Sequence, residues 1–251
     1  MSVRRSYAVR LVAGAGLLVL VALLMGCGAF GGDQNTFAPN GDVADKQRDL
    51  FMWVLGIASA ILAAVTAALV YILVRYRRRR DDEAPPKQVH GNTRLELAWT
   101  IAPAILLLGI AVPTITTVVD LGRDPSDDAL HVKVVAFQWA WRFEYTDLEF
   151  ADAAGDPLVS EELHIPVGRE IAVELEALDV IHSFWVPKLA GKLDVVPGRN
   201  NRMWFNATEP GVYPGQCAEF CGIGHAGMKF TVVAQETADF EAWADEQLAA
   251  E

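Results

Sequence analysis

Two long runs without a charged residue dominate the first half of this 251-residue chain. One extends from Leu50 to Val74 and the other from Leu97 to Val119, 25 and 23 positions respectively. Each exceeds the roughly 20 residues an α-helix needs to cross the hydrocarbon core of a bilayer. Between them lies Arg75-Tyr-Arg-Arg-Arg-Arg80, five arginines in six positions, followed by acids, Pro85-Pro86 and Lys87. Positive charge concentrated in a short loop places that loop in the cytoplasm. The expectation is a membrane hairpin over 50–121, with spans at about 50–74 and 97–119, a cytoplasmic loop 75–96, and both flanking segments outside. Pro103 and Pro113 fall within the second span, where neighbouring groups can satisfy the carbonyls they free. Two spans make a thin membrane structure, so a larger integral partner is expected beside lipid. Glu96, taken alone, reads as a solvated charge at the end of a span.

The N-terminus carries Arg4, Arg5 and Arg10, then an apolar run from Leu11 to Leu24, then Met25-Gly26-Cys27. A positive start, a short apolar stretch and a small residue before the cut describe a secretory signal over 1–27 rather than a span. Its Leu-x-Gly-Cys ending resembles a bacterial lipobox, which would make Cys27 a lipidated N-terminus. Residues 28–49, opening with a stretch rich in Gly, Asn and Asp, are expected as an external linker.

After Asp120 the texture changes. Residues 120–251 hold 9 Lys/Arg against 24 Asp/Glu, whereas residues 1–119 hold 12 against 8. Such an acidic half would be repelled by nucleic acid phosphates, which excludes that class of partner. It suits a basic protein partner reached by electrostatic steering. Short runs rich in β-branched and aromatic residues predict strands at His131–Phe137, Trp141–Tyr145, Glu170–Ala177, Arg202–Asn206 and Lys229–Val233. Pro166-Val-Gly168, Pro197-Gly198 and Glu209-Pro-Gly211 mark turns between them. Many short strands so spaced predict a β-sandwich or barrel over 122–251, closed by a C-terminal helix over Thr237–Leu248. Trp139, Trp141, Phe143 and Tyr145 occupy alternate positions and should share one face of a strand.

The chemistry is concentrated in Cys217-Ala-Glu-Phe-Cys221-Gly-Ile-Gly-His225-Ala-Gly-Met228, with His182 lying 35 residues before the first thiol. Thiolates, a thioether and imidazoles favour copper over magnesium, calcium or manganese. Export to an oxidising compartment would allow a Cys217–Cys221 disulfide, but that leaves both histidines and Met228 without a purpose. A zinc site would not ordinarily recruit a thioether. A blue-copper site takes one Cys, two His and an axial Met, and this chain has that set plus a second thiol. Two thiolates can bridge two copper ions, with His182, His225 and Met228 as terminal ligands and a loop carbonyl completing the set. No position is left open for a substrate, so the expected activity is electron relay.

These residues, in the pattern Cys217-x-Glu219-x-Cys221-x-x-x-His225-x-x-Met228, resemble subunit II of haem–copper cytochrome c oxidases and its CuA site. The likeness extends to Leu95-Glu96-x-x-Trp99-Thr100-x-x-Pro103, Gln138-Trp139-x-Trp141, Asp179-Val-x-His182-Ser-Phe, Asp194-x-x-Pro197-Gly198-Arg199 and Pro210-Gly211-x-Tyr213-x-Gly215-Gln216-Cys217, and covers about residues 45–245. The resemblance implies a two-helix transmembrane hairpin carrying an all-β, cupredoxin-like Greek-key barrel, set in a bacterial plasma membrane with the copper domain on the external face. It implies two copper ions held by His182, Cys217, Cys221, His225, Met228 and the Glu219 carbonyl, and a magnesium ion reached by the Glu219 side chain at the interface with haem-bearing subunit I. Further oxidase subunits would complete the assembly. Trp139 would accept electrons from a soluble or membrane-bound cytochrome c, and Glu96 would stand at the mouth of a proton path, which reverses its reading above. Glu144, Asp147, Glu149 and Asp179 would form an acidic docking face, so transfer from a basic donor should weaken with salt. The implied activity is that of an oxidoreductase and proton translocase that reduces oxygen to water. Two positions depart from the pattern: Ala140 replaces the usual tyrosine between the tryptophans, and Leu178 replaces an acid often found before Asp179.

Three rival readings are weaker. A copper-free quinol oxidase subunit II would lack the cysteines. A nitrous oxide reductase would need a further catalytic domain, and a copper chaperone would not carry the Glu96–Pro103 motif.

Overall fold

The computed structural model describes residues 31–77, 91–152 and 155–250, together with residues 16 and 88. The predicted signal sequence, Cys27 and most of the arginine-rich loop lie outside the described residues. The two uncharged runs form helices α1 (Asp42–Arg75) and α2 (Thr93–Leu121). Within their most apolar stretches neither helix buries side chains against the rest of the chain, and Leu62, Leu73, Val74, Leu107, Leu108 and Val119 are exposed. An apolar surface this long is stable only against lipid or another integral protein.

Pro113 cannot supply the amide proton that the Gly109 carbonyl would otherwise accept. Trp53 on α1 points its indole Nε1–H at that carbonyl across the hairpin, at 3.5 Å. Asn92 caps α2 by accepting from the amides of Arg94 and Leu95.

Helix α1 begins earlier than the uncharged run. Residues 42–49, expected as linker, form its first two turns, because this end is embedded in the external domain. Val43 and Ala44 are buried there. The Asp42 amide donates to the Asn206 side chain at 2.9 Å, and Ala44 N–H donates to the Leu189 carbonyl at 3.3 Å. A Cβ at Gly41 would collide with the Asn206 and Leu189 backbones, so only glycine fits this approach. Lys46 pairs with Asp120 at the end of α2 and lies 5.5 Å above the Trp204 ring. Both helices are thereby fastened to the β domain at its base.

That domain consists of two five-stranded sheets packed face to face. Its strands are β1 (Leu130–Phe137), β2 (Ala140–Tyr145), β3 (Leu158–Ser160), β4 (Leu163–Pro166), β5 (Ile171–Ala177), β6 (His182–Trp185), β7 (Leu193–Val195), β8 (Asn201–Phe205), β9 (Gly211–Cys217) and β10 (Lys229–Gln235). One sheet runs β3-β2-β1-β5-β8 and the other β4-β10-β9-β6-β7. The pairs β1/β5 and β4/β10 are parallel and the others antiparallel. The expected all-β, cupredoxin-like architecture is therefore present, as a flattened sandwich whose chain crosses between sheets. The predicted terminal helix is α3 (Thr237–Ala250); it buries Phe240 and Ala244 and stacks Trp243 on His164 at 4.0 Å.

Aromatic rings fill the core near the ligand loops. Phe230 stacks on Phe184 at 4.8 Å and meets Trp141 at 5.2 Å and Phe143 at 5.7 Å. The four-aromatic alternation holds for Trp141, Phe143 and Tyr145, which are buried together. Trp139 departs from it, because β2 starts at Ala140 and Gln138-Trp139 form the hairpin turn. Gly215 stands opposite Phe230 across β9/β10, and a Cβ there would drive into the ring.

Replacing Gly215 with alanine is expected to cost about 1–3 kcal/mol through overpacking, read as a lowered midpoint in thermal unfolding of the purified protein. A second expectation concerns the segment between α2 and β1. Arg123 bonds Glu170 while its guanidinium lies 3.9 Å from the Trp204 ring centre, and the Ser126 amide donates to Glu170 at 2.8 Å. The Arg123 bond, helped by Ser126, holds the Glu170 carboxyl below the usual glutamate range. A carboxyl lowered on folding stabilises above its unfolded value and loses that contribution as pH falls through the folded one. Glu170→Gln should therefore cost about 1 kcal/mol at neutral pH, reduced by the partial exposure of Arg123. The difference from wild type should close as pH drops below about 4.

Candidate metal centre

The soft donors meet at one end of the sandwich. His182 opens β6, Cys217 closes β9, and Met228 immediately precedes β10. The loop 218–228 joins β9 to β10 and is closed at its neck by Cys217 N–H donating to the Met228 carbonyl at 2.9 Å. Ala218 N–H donates to the Ser183 carbonyl at 2.9 Å, which draws the loop against β6.

Cys217 Sγ lies 3.8 Å from Cys221 Sγ and 3.9 Å from His182 Nδ1. Cys221 Sγ lies 3.6 Å from His225 Nδ1 and 3.7 Å from Met228 Sδ. The Glu219 carbonyl oxygen is 3.2 Å from Cys217 Sγ, while the Glu219 side chain is exposed. Both cysteines are free, and 3.8 Å is far beyond the ~2.05 Å of a disulfide bond. His182, Cys217, Cys221 and Met228 are buried, and His225 is half-buried. All six predicted donors are thus brought together. His182, Cys217 and Cys221 by themselves place their ligand atoms within 4.8 Å of one another. Two thiols, two imidazoles and a thioether shielded from water form a donor set for a soft or borderline metal.

Burial pushes the Cys221 thiol up to about 11, helped by its hydrogen bond and charge interaction with Cys217. A metal that binds here must displace that proton. Asp179 positions the first imidazole: its Oδ1 is 2.9 Å from His182 Nε2, which leaves Nδ1 facing the sulfurs. Burial opposes ionisation of Asp179, but the bonds from His182 and from the Val180 and Gln138 amides outweigh it and hold the carboxyl below the usual range.

Trp139 is 39% exposed and donates its indole N–H to the Cys221 carbonyl at 3.2 Å. Gln138 Nε2 donates to the same oxygen at 2.7 Å. The indole lies over Gly222 and Gly224; a Cβ at Gly224 would sit 2.5 Å from Trp139 Cδ2. Sequence reasoning missed Gln138 and these glycines as parts of the site. The Gly-x-Gly spacing inside the ligand loop was the available signal.

The expected docking acids are placed differently from one another. Asp179 faces His182, as described. Asp147 binds the His131 ring and amide, both at 2.9 Å. Glu149 pairs with Arg169 at 3.4 Å, and Glu144 with Arg142 at 2.7 Å and Lys133 at 3.8 Å. Glu96 lies in the first turn of α2, roughly 38 Å along the helix from Leu121 at 1.5 Å per residue.

Residues 130–235 match the family model described as cytochrome C oxidase subunit II, periplasmic domain, and residues 37–117 match that of its transmembrane domain. Cytochrome c oxidase subunit 2 of Alkalihalophilus pseudofirmus is 41% identical over 236 residues, covering 91% of this chain and 66% of that protein. The chain therefore spans about two thirds of that relative's length. Quinol oxidase subunit 2 of Bacillus spizizenii is 31% identical over 233 residues, covering 90% of this chain and 69% of that protein. The solved periplasmic domain of subunit II of the cytochrome oxidase of Bradyrhizobium japonicum is 29% identical, covers 51% of this chain and 99% of its own, and superposes with a TM-score of 0.44.

Asp179→Asn is expected to lower metal affinity by about 10–100-fold, the usual effect of losing a partner that orients a ligand. A copper titration of the metal-free protein would measure it, with an unchanged circular dichroism spectrum confirming that the fold is intact.

Proposed function

The chain belongs to the cytochrome c oxidase subunit II family, and on that footing we propose that it is the electron-accepting subunit of a respiratory oxidase. The observation that carries this reading is the buried convergence of Cys217, Cys221, His182, His225, Met228 and the Glu219 carbonyl. The presence of both cysteines favours a cytochrome c oxidase over a copper-free quinol oxidase, although relatives of both kinds resemble the chain.

Two bound copper ions would supply one-electron storage shared between metals, with little change in geometry on transfer. The protein's own residues do the rest. Burial excludes water from the sulfurs, and Asp179 holds the His182 tautomer. Trp139 links the solvent-exposed surface to the Cys221 carbonyl and is proposed as the point where electrons from cytochrome c arrive. From the cluster they would pass to the haem and copper centres of subunit I, where oxygen is reduced to water with proton translocation. Glu96 is proposed at the mouth of a proton path, and the exposed Glu219 carboxylate as a magnesium ligand at the interface with subunit I.

A match to the transmembrane domain and two helices long and apolar enough to span identify a membrane protein. The bacterial plasma membrane, the external position of the metal domain, further oxidase subunits and lipidation at Cys27 belong to the proposal. Glu144, Asp147, Glu149 and Asp179 remain in it as a long-range acidic field toward the donor, weakened by their internal partners.

Cys217→Ser in the assembled oxidase is expected to abolish the dinuclear copper spectrum and cytochrome c-driven oxygen uptake. Uptake at the wild-type rate in that variant would overturn the relay assignment.

A further inference from the structure

The donors fall into two halves. Cys217 Sγ has His182 Nδ1 and the Glu219 carbonyl as neighbours, and Cys221 Sγ has His225 Nδ1 and Met228 Sδ. The halves meet where the two sulfurs approach to 3.8 Å. All of these residues lie on β6, on β9 or in the loop 218–228. None is on the sheet that contains β1 and β2.

The loop buries little of its own to hold it in place. Phe220 is 75% and Ile223 95% exposed, and Gly222 and Gly224 have no side chains. A segment with so few buried apolar contacts belongs to the least stable part of a fold and opens locally unless other bonds restrain it. Gln138, in the turn between β1 and β2 on the opposite sheet, supplies such a restraint. Its Nε2 donates to the Cys221 carbonyl at 2.7 Å, a shorter bond than the 3.2 Å of the Trp139 indole to the same oxygen. Its main-chain N–H donates to Asp179 Oδ2 at 2.7 Å, and the other oxygen of that carboxylate is 2.9 Å from His182 Nε2. One residue therefore reaches both halves, through its backbone on the His182 side and its side chain on the Cys221 side.

We propose that Gln138 is the positioning residue that joins the two halves of the metal centre. The proposal rests on the metal-centre reading above and adds a residue that fixes the centre's shape before any ion binds. The Cys221 carbonyl requires a donor, and glutamine supplies one at the right length. Glutamate would present acceptor oxygens, methionine has no N–H, and asparagine is one methylene shorter. Each of these exchanges leaves the backbone bond to Asp179 in place, so the side-chain link can be broken by itself.

The test uses the full chain in detergent. Gln138→Met keeps the length of the side chain and removes the donor, and Glu170→Gln serves as a destabilised control in the contact that braces the α2–β1 segment. In the metal-free chain, hydrogen exchange is followed at the amides of His225, Gly227 and Met228, each bonded within the loop. Gln138→Met is expected to speed them about tenfold, as the loss of one net hydrogen bond would, whereas Glu170→Gln leaves them at the wild-type rate. Copper titration of the same proteins is expected to show about tenfold weaker binding for Gln138→Met, with altered visible and electron paramagnetic resonance spectra of the loaded chain. Glu170→Gln should bind copper as the wild type does, because lower fold stability alone changes neither the affinity nor the spectra of the folded protein. The assignment is overturned if Gln138→Met matches the wild type in exchange, affinity and spectra, or if Glu170→Gln shifts them equally. Faster loop exchange with unaltered copper binding also overturns it, since the bond would then hold the loop and not the donors. Failure of the wild type to bind copper counts instead against the metal-centre reading, and the exchange comparison still decides whether Gln138 restrains the loop.

Discussion

One carbonyl oxygen holds the site together. The Cys221 carbonyl accepts both the Gln138 amide and the Trp139 indole, so a ligand-bearing loop is clamped to the β1–β2 turn of the opposite sheet. The clamp closes only because Gly222 and Gly224 have no side chains to hold the indole away. Gly222 further adopts φ +122°, a conformation that residues with a Cβ rarely take. The consequence is chemical as well as mechanical. A partly exposed aromatic ring sits one hydrogen bond from a residue whose sulfur lies among the proposed metal ligands.

The rest of the chain ties the domain that carries this cluster to the two long apolar helices. Were α1 to end at its uncharged run, the β domain would hang on a flexible tether. Instead its first turns are embedded beside Leu189 and Asn206, and Lys46 ties α1 to the end of α2. Arg123, held by Glu170 and stacked on Trp204, stiffens the exit from α2. Two helices and a sandwich are therefore tied together at their junction, which suits the proposed role of presenting one end to a donor and the other to an integral partner.

Much of this was legible in the sequence, and the gaps have physical causes. Long uncharged runs predict helices because a bilayer leaves backbone groups no alternative, and both helices formed. The strands rich in β-branched residues were also visible. β9 was not, because Gly211, Pro214 and Gly215 argue against a strand; it forms because Phe230 on its neighbour covers Gly215. The metal donors were readable from their identities alone, since few other arrangements use two thiols, two imidazoles and a thioether. The partners of the expected docking acids were not readable in this way. Whether Asp147 or Glu149 is available depends on His131 and Arg169, 16 and 20 positions away in the chain, and sequence spacing does not reveal such pairings. Trp139 likewise looked like the first residue of an inward-facing series, when the hairpin turn begins one residue before it.

Preorganisation is what links these findings. Each donor stands within 4 Å of a cysteine sulfur, held there by backbone bonds at the neck of the loop, the Asp179 contact and the Cys221 clamp. Burial pushes the Cys221 thiol up to about 11, so that sulfur is protonated at neutral pH. A metal held by this sulfur would have to displace its proton. Backbone bonds that fix the donors suit the proposed relay, because a small change in structure between redox states leaves little reorganisation to oppose electron transfer.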